Sequence, residues 1–306
     1  MKGSRNHLLN RIDSLSQSSR LRGIVAVATV LLSVGILATI VLRQWEALIG
    51  YDWNLRLGPA LASFLVFSID LFLVALIWAS IMDSTGERVG VKKHIRYYFV
   101  THLARRLPGR IWHVAGRAFL YKKEGISVVR TSLASVVELT ILTLSGVLVT
   151  LVFGISIVSQ YTFGVTSLAA VLILGAVLVH PRVLNRILSR IGTREQVQFS
   201  YKNLAIWISS YSIAWMLGGI TLFAVGNSVG TIEPEHIPYM IGSWSLVGVL
   251  SSALFFLPTN LGLTEVGLTL LLSNIIPAPV AVVVALATRL LITAYEIFWA
   301  AISIRF

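Results

Sequence analysis

Residues 57–82 read LGPALASFLVFSIDLFLVALIWASIM, an apolar run with one charged side chain, Asp70. A helix rising 1.5 Å per residue needs about 20 such residues to cross about 30 Å of hydrocarbon, so this run is long enough to span a bilayer. Similar runs lie on both sides of it. Residues 24–42, 161–180 and 204–225 carry no charge, 126–153 carries Arg130 and Glu138, and 279–304 carries Arg289 and Glu296. The whole chain, 306 residues, is 56% hydrophobic and 12% charged with mean hydropathy +0.82, far from a soluble average. That balance excludes a soluble enzyme, a disordered tail and a secreted scaffold. The absence of Cys removes disulfides, thiolate metal sites and cysteine nucleophiles.

The net charge of +12 would suggest nucleic acid in a soluble chain, but its placement points to a membrane. Lys and Arg crowd three segments: a tail at 1–23, a stretch at 83–125 and another at 181–203. Segments 154–160 and 226–236 hold none. The positive-inside rule puts the three basic segments, together with both chain ends, in the cytoplasm. There they face an anionic leaflet, so no nucleic-acid partner is needed. The run at 24–42 lacks a small-x-small cleavage site and reads as a retained anchor. The expected organisation is a cytoplasmic tail, 1–23, followed by one transmembrane domain, 24–306, in the cell inner membrane.

Two segments break the pattern of plain spans. Residues 94–121 are too charged to cross lipid, yet they are rich in aromatic and aliphatic side chains and are interrupted at Leu107-Pro108-Gly109. Residues 237–256 and 261–276 are likewise separated by Leu257-Pro258-Thr259-Asn260, and the second piece is short for a span. Reading both as re-entrant hairpins gives an all-α polytopic membrane protein of about six full spans plus two broken-helix hairpins. The order of elements then repeats between about 24–153 and 161–304 with opposite topology, the inverted repeat of many transporters. Eight full spans satisfy the same charge parity and stay open. Thr131, Ser135, Glu138 and Ser145 in one long run, and Arg289, Thr293, Glu296 and Ser303 in the other, are stripes of identical helical spacing.

An ionised side chain at bilayer depth costs about 2.5–3.5 kcal/mol on insertion scales, so Asp70, Glu138, Glu265, Arg289 and Glu296 should face protein or water. One reading is a polar cavity in which Arg110, Arg117 and Arg289 attract an anionic headgroup while Glu138, Glu265 and Glu296 balance charge or hold an amine. The other is internal ion pairing, Arg289 with Glu296 or with Glu138. The breaks at Pro108 and Gly109 and at Pro258, Thr259 and Asn260 free backbone groups that must line a cavity or be buried in protein. His102 and His113 offer a proton relay or ordinary interfacial contacts. No phosphate-binding Gly-rich loop, metalloprotease motif, nucleophile elbow or Asp-x-Asp cluster occurs, so neither catalytic residues nor a metal or cofactor are expected.

Taken together, Leu107-Pro108-Gly109-Arg110-Ile111-Trp112, Gly125-Ile126-Ser127, His180-Pro181, the stretch Leu257 to Glu265 and the closing Arg289 resemble the lysylphosphatidylglycerol synthase transmembrane-region family. The likeness covers nearly the whole chain beyond the basic tail. Glu265 matches the family's second motif, whereas Thr259, Asn260 and Thr264 stand where that motif usually has Gly, Gly and Arg. The resemblance implies a flippase-like module that moves lipid between leaflets. In full-length synthases a separate soluble domain transfers the aminoacyl group, and this chain is expected to be a stand-alone member without it.

The expected function is therefore a lipid flippase or scramblase acting on an amphiphile with an anionic or polyprenyl-phosphate headgroup. Two rivals remain: a membrane-embedded transferase using Glu138 or Glu265 as general base, and a scaffold for a cytoplasmic lipid-modifying enzyme. Homodimer formation stays open.

Overall fold

A computed structural model describes residues 31–51, 53–86, 89–106, 111–190, 199–253 and 262–305. No strand occurs among the described residues. In chain order the helices are α1 (Leu31–Arg43), α2 (Trp45–Ile49), α3 (Leu57–Asp83), α4 (Val91–Leu103), α5 (Trp112–Lys123), α6 (Val128–Phe153) and α7 (Ile155–Val158). They continue as α8 (Gly164–Val179), α9 (Pro181–Arg190), α10 (Tyr201–Val229), α11 (Ile237–Ala253), α12 (Leu263–Leu272) and α13 (Ala278–Ser303). One 3₁₀ turn, Ala104–Arg106, follows α4 and another, Pro234–His236, precedes α11.

Local chemistry sets several of these starts. Gly125, at φ +85°, turns the chain after α5, and the Ser127 hydroxyl then accepts the Val129 amide at 3.3 Å to open α6. Ser200 does the same for α10 through the Asn203 amide, at 3.2 Å. At α12 the Glu265 carboxylate reaches back to the Gly262 amide, 2.8 Å away, the carboxylate half of a capping box. Gly262 itself sits at φ +88° against Ser33 of α1, where a Cβ would lie 2.1 Å from the serine's own. Only glycine satisfies both conditions.

Four helices, α3, α6, α10 and α13, are long and apolar enough to cross a membrane. Between 39% and 50% of each apolar window is buried, so the rest of each helix presents an apolar surface suited to lipid. The protein is thus a multi-pass helical membrane protein. The run expected at 161–180 forms α8, 16 residues or about 24 Å, and the run at 24–42 is described only from Leu31 onward. The arms of the two expected hairpins are shorter still: α4 and α5 have 13 and 12 residues, α11 and α12 have 17 and 10. At about 1.5 Å per residue, α12 reaches only about 15 Å.

Packing follows a reciprocal scheme. α3 lies on α4 as α10 lies on α11; α4 on α5 as α11 on α12; α5 on α6 as α12 on α13. Across the series, α4 packs on α13 as α11 packs on α6, and α3 and α10 pack on each other. Directions alternate to match. Arg56 donates its amide to the Ser228 carbonyl while Trp207 Nε1 donates to Ser80 Oγ, so α10 runs antiparallel to α3. Tyr295 meets Ser63 and Trp299 Nε1 donates to Ser68 Oγ, each at 2.9 Å, so α13 runs parallel to α3. Tyr211 to Glu138 and Trp215 to the Leu142 carbonyl make α6 parallel to α10.

α10 and α11 meet across Gly218 and Gly219, into which Trp244 and Ile241 pack; a Cβ on Gly219 would come within 2.4 Å of the Ile241 Cα. Close backbone approach of this kind is how small residues join helices in lipid. Gly219→Ala is expected to lower thermal stability in detergent by about 1–3 kcal/mol, the usual range for overpacking. Gly58→Ala, at a position with nothing within 4 Å, should leave it unchanged; equal unfolding temperatures for the two variants would contradict the assigned contact.

Candidate functional site

With α6 started at Ser127, helical periodicity brings Thr131, Ser135, Glu138 and Ser145 to one face, and all four are buried. Glu138 lies about 15 Å into the helix, near the middle of a bilayer-length segment. Its carboxylate is surrounded. Arg117 Nη1 from α5 donates to Oε2; Tyr98 from α4 and Tyr211 from α10 each donate to Oε1 at 3.2 Å; and Arg105 Nη2, from the 3₁₀ turn, stands 3.7 Å from Oε1. Four elements thus converge on one carboxylate.

Arg117 is fully buried. Its guanidinium lies against the rings of Trp78, 4.2 Å from the centroid, and Tyr98, 4.3 Å, and its Nε donates to Thr101 Oγ1 at 3.2 Å. Cation–π contact with two rings offsets part of the cost of burying the charge. Behind this layer Trp78 Nε1 donates to Tyr121 Oη at 2.9 Å, and Tyr121 Oη meets His94 Nδ1 at 2.5 Å, with His94 Nε2 3.2 Å from Asp83. At the base of the hairpin Glu124 receives Lys93 Nζ at 2.7 Å and Tyr97 Oη at 2.5 Å. Those two donors hold the Glu124 carboxyl below its usual range.

α4 carries the network onward. His102 stacks on Tyr98, ring centroids 5.3 Å apart, and its Nε2 stands 3.4 Å from Glu296 of α13. Arg117, Glu138 and Glu296, all anticipated from sequence, therefore belong to one assembly. Glu265 and Arg289 form a second pair, Arg289 Nε 3.5 Å from Glu265 Oε1. Ion pairing occurs, but between α12 and α13 rather than between Arg289 and Glu296 or Glu138. The two pairs occupy corresponding places: each joins the second arm of a hairpin to the long helix that follows, with the signs exchanged. Arg110, Pro108, Gly109, Pro258, Thr259 and Asn260 lie outside the described residues.

Beside the Glu138 cluster is a cavity of about 140 Å³ between α3, α4, α6, α10 and α11. Asp70, Tyr98, His102, Arg105, Tyr211 and Trp215 line it, with Phe67 and Trp244 completing the apolar wall. Three polar atoms there, Asp70 Oδ1, His102 Nδ1 and Arg105 Nε, are buried without a hydrogen-bond partner among the described residues. Buried polar atoms are rarely left unpaired unless a site is wet or binds something. Tyr98, Tyr211 and Arg105 escaped the sequence reading because nothing local separates Arg105 from the solvated cations of 83–125. Asp70 stands in the sequence as a charge that must face protein or water, with nothing along the helix to name the cavity it lines.

A polar cavity and buried ion pairs inside a bundle of bilayer-length helices define the class: a multi-pass membrane protein with a hydrophilic interior. Residues 23–298 match the family described as the lysylphosphatidylglycerol synthase TM region, and the chain belongs to it. No curated protein matches the chain.

Arg117→Ala or Glu138→Ala leaves an uncompensated buried charge and should cost about 3–5 kcal/mol in a denaturant titration in detergent micelles. The apolar pair Arg117→Met with Glu138→Leu should recover most of that loss; no recovery would mean that the pair is not the unit of stability. At the hairpin base, a depressed Glu124 pKa contributes stability that is present above its ordinary value of about 4.5 and is lost as pH falls through the folded-state value. Acidification should therefore lower the melting temperature less in Glu124→Gln than in the unmodified protein.

Proposed function

We propose that the protein moves an amphiphilic lipid with an anionic or phosphate-bearing headgroup between the leaflets of the cell inner membrane. One observation carries this reading: at mid-depth, a cavity with aromatic walls presents a buried Arg105 guanidinium whose Nε–H has no partner among the described residues. In a low-dielectric surround such donors favour an anion, and a guanidinium is the side chain best matched to phosphate. The headgroup would enter the cavity while acyl chains stay in lipid. Arg117 serves by holding Glu138, so that Arg105 is not fully drawn to that carboxylate. Arg289, paired with Glu265, adds a second cationic group within the bundle.

In this reading six helices span the membrane, α4–α5 and α11–α12 are re-entrant, and the halves 24–153 and 161–304 are inverted repeats with both ends of the chain cytoplasmic. Reciprocal packing, the opposite directions of α3 and α10 and of α6 and α13, and the short hairpin arms all support it. Rocking of one repeat against the other would expose the cavity alternately. Family membership supports a role in lipid metabolism or transport.

The test is reconstitution into liposomes containing a fluorescent phosphatidylglycerol, with the label on the outer leaflet quenched chemically. The protein should speed exchange between leaflets and return the lipid covalently unchanged. Arg105→Ala should slow exchange on the order of tenfold, as expected for loss of a charge-assisted hydrogen bond worth about 1.5–3 kcal/mol. Exchange no faster than in protein-free liposomes would reject transport, and a modified lipid would instead favour a transferase.

A further inference from the structure

Asp70 sits at the midpoint of α3, the deepest place a bilayer-length helix can put a side chain. Each of the other acids within the helical bundle faces a basic partner: Glu138 faces Arg117 and Arg105, Glu265 faces Arg289, and Glu296 faces His102. Asp70 has no such pair among the described residues, and its Oδ1 is buried in the cavity wall without a hydrogen-bond partner there. A carboxylate cannot stay ionised in that position unless something neutralises it.

None of the groups facing it pairs with it among the described residues. From α4 come Tyr98, whose hydroxyl is given to Glu138, and His102, which is turned to Glu296. Arg105, from the turn after α4, leans its Nη2 toward Glu138, and Tyr211 of α10 donates to the same carboxylate. α6 and α11 bring only Leu142 and Trp244 to the cavity, and α13, which also packs on α3, has its Glu296 engaged with His102 and its Arg289 with Glu265.

We propose that Asp70 is the proton-carrying group of the cavity, and that one proton travels with each anionic headgroup. The inference rests on the transport reading above and adds its coupling ion. Asp70 is ionised only while the cavity stands open to water; a hydronium entering then with the headgroup gives its proton to an Asp70 oxygen, forming one O–H bond and leaving water, and the cavity closes on the neutral acid. The neutral acid no longer repels the phosphate held at Arg105. When the cavity opens to the other side, the O–H bond breaks, the proton passes back to water and the restored carboxylate expels the anion. A singly charged headgroup and one proton cross the midplane with no net charge, which suits the low dielectric there. Glu138 and Glu265, whose ion pairs already neutralise them, are not needed for this step.

Two measurements on the purified full-length protein test the proposal. In liposomes with fluorescent phosphatidylglycerol and a trapped pH-sensitive dye, leaflet exchange should slow as pH rises and should acidify the lumen when lipid moves inward. Asp70→Asn should lose the pH dependence, whatever its absolute rate, and lose the dye signal. Asp70→Glu should keep both, with the profile displaced along the pH axis. An Asp70→Asn profile with the wild-type slope would overturn the assignment. The second measurement needs no transport: infrared difference spectra of the detergent-solubilised protein at neutral pH should contain a protonated-carboxyl band that Asp70→Asn removes. Absence of that band from the wild type would reject a protonated Asp70 even if lipid exchange is normal, whereas its presence without lipid exchange would reject the transport reading alone.

Discussion

The interior of this protein depends on a carboxylate that hydrocarbon will not accept by itself. Glu138 is buried near the middle of α6, and the structure answers with Arg117, itself buried and held against the Trp78 and Tyr98 rings. That pair draws the first hairpin into the bundle: α5 supplies the cation, α4 supplies Tyr98 and Thr101, and the turn between supplies Arg105. A segment too charged to lie in lipid is thereby made part of the core. The desolvation cost is met by many partners acting on one charge, which also makes the arrangement intolerant of losing any single member.

The second pair solves the same problem with signs exchanged. Glu265 begins α12, where its carboxylate both caps Gly262 and receives Arg289. A carboxylate at a helix N-terminus also complements the helix dipole. Beside the first pair lies a cavity whose own charged groups are not all satisfied among the described residues. Strongly tied side chains surround it, and the loosely tied ones, Asp70 and Arg105 among them, line it.

Much of the architecture was legible from residue spacing. The apolar runs announced α3, α6, α10 and α13, because only segments of that length and composition match a bilayer. The Thr131, Ser135, Glu138 and Ser145 stripe is buried along its whole length, as its periodicity required. What spacing does not reveal is which neighbouring helix answers a charge. Arg105 and Arg117 stand in the same basic stretch as Lys92 and Lys122, which are exposed, and only folding of the hairpin separates them. Glu265 became the partner of Arg289 because α12 packs on α13, a contact invisible along either helix alone. Asp70 looks isolated in sequence, and its role emerges only where five helices close around it.

The reciprocal packing has a further consequence for how such a chain holds together. Because α4 leans on α13 and α11 leans on α6, each half borrows a wall from the other, and neither has a complete interior alone. The two halves are interlocked like clasped hands. There is no stationary frame against which a separate mobile part turns, so any displacement of one half has to be answered by a matching displacement of its counterpart.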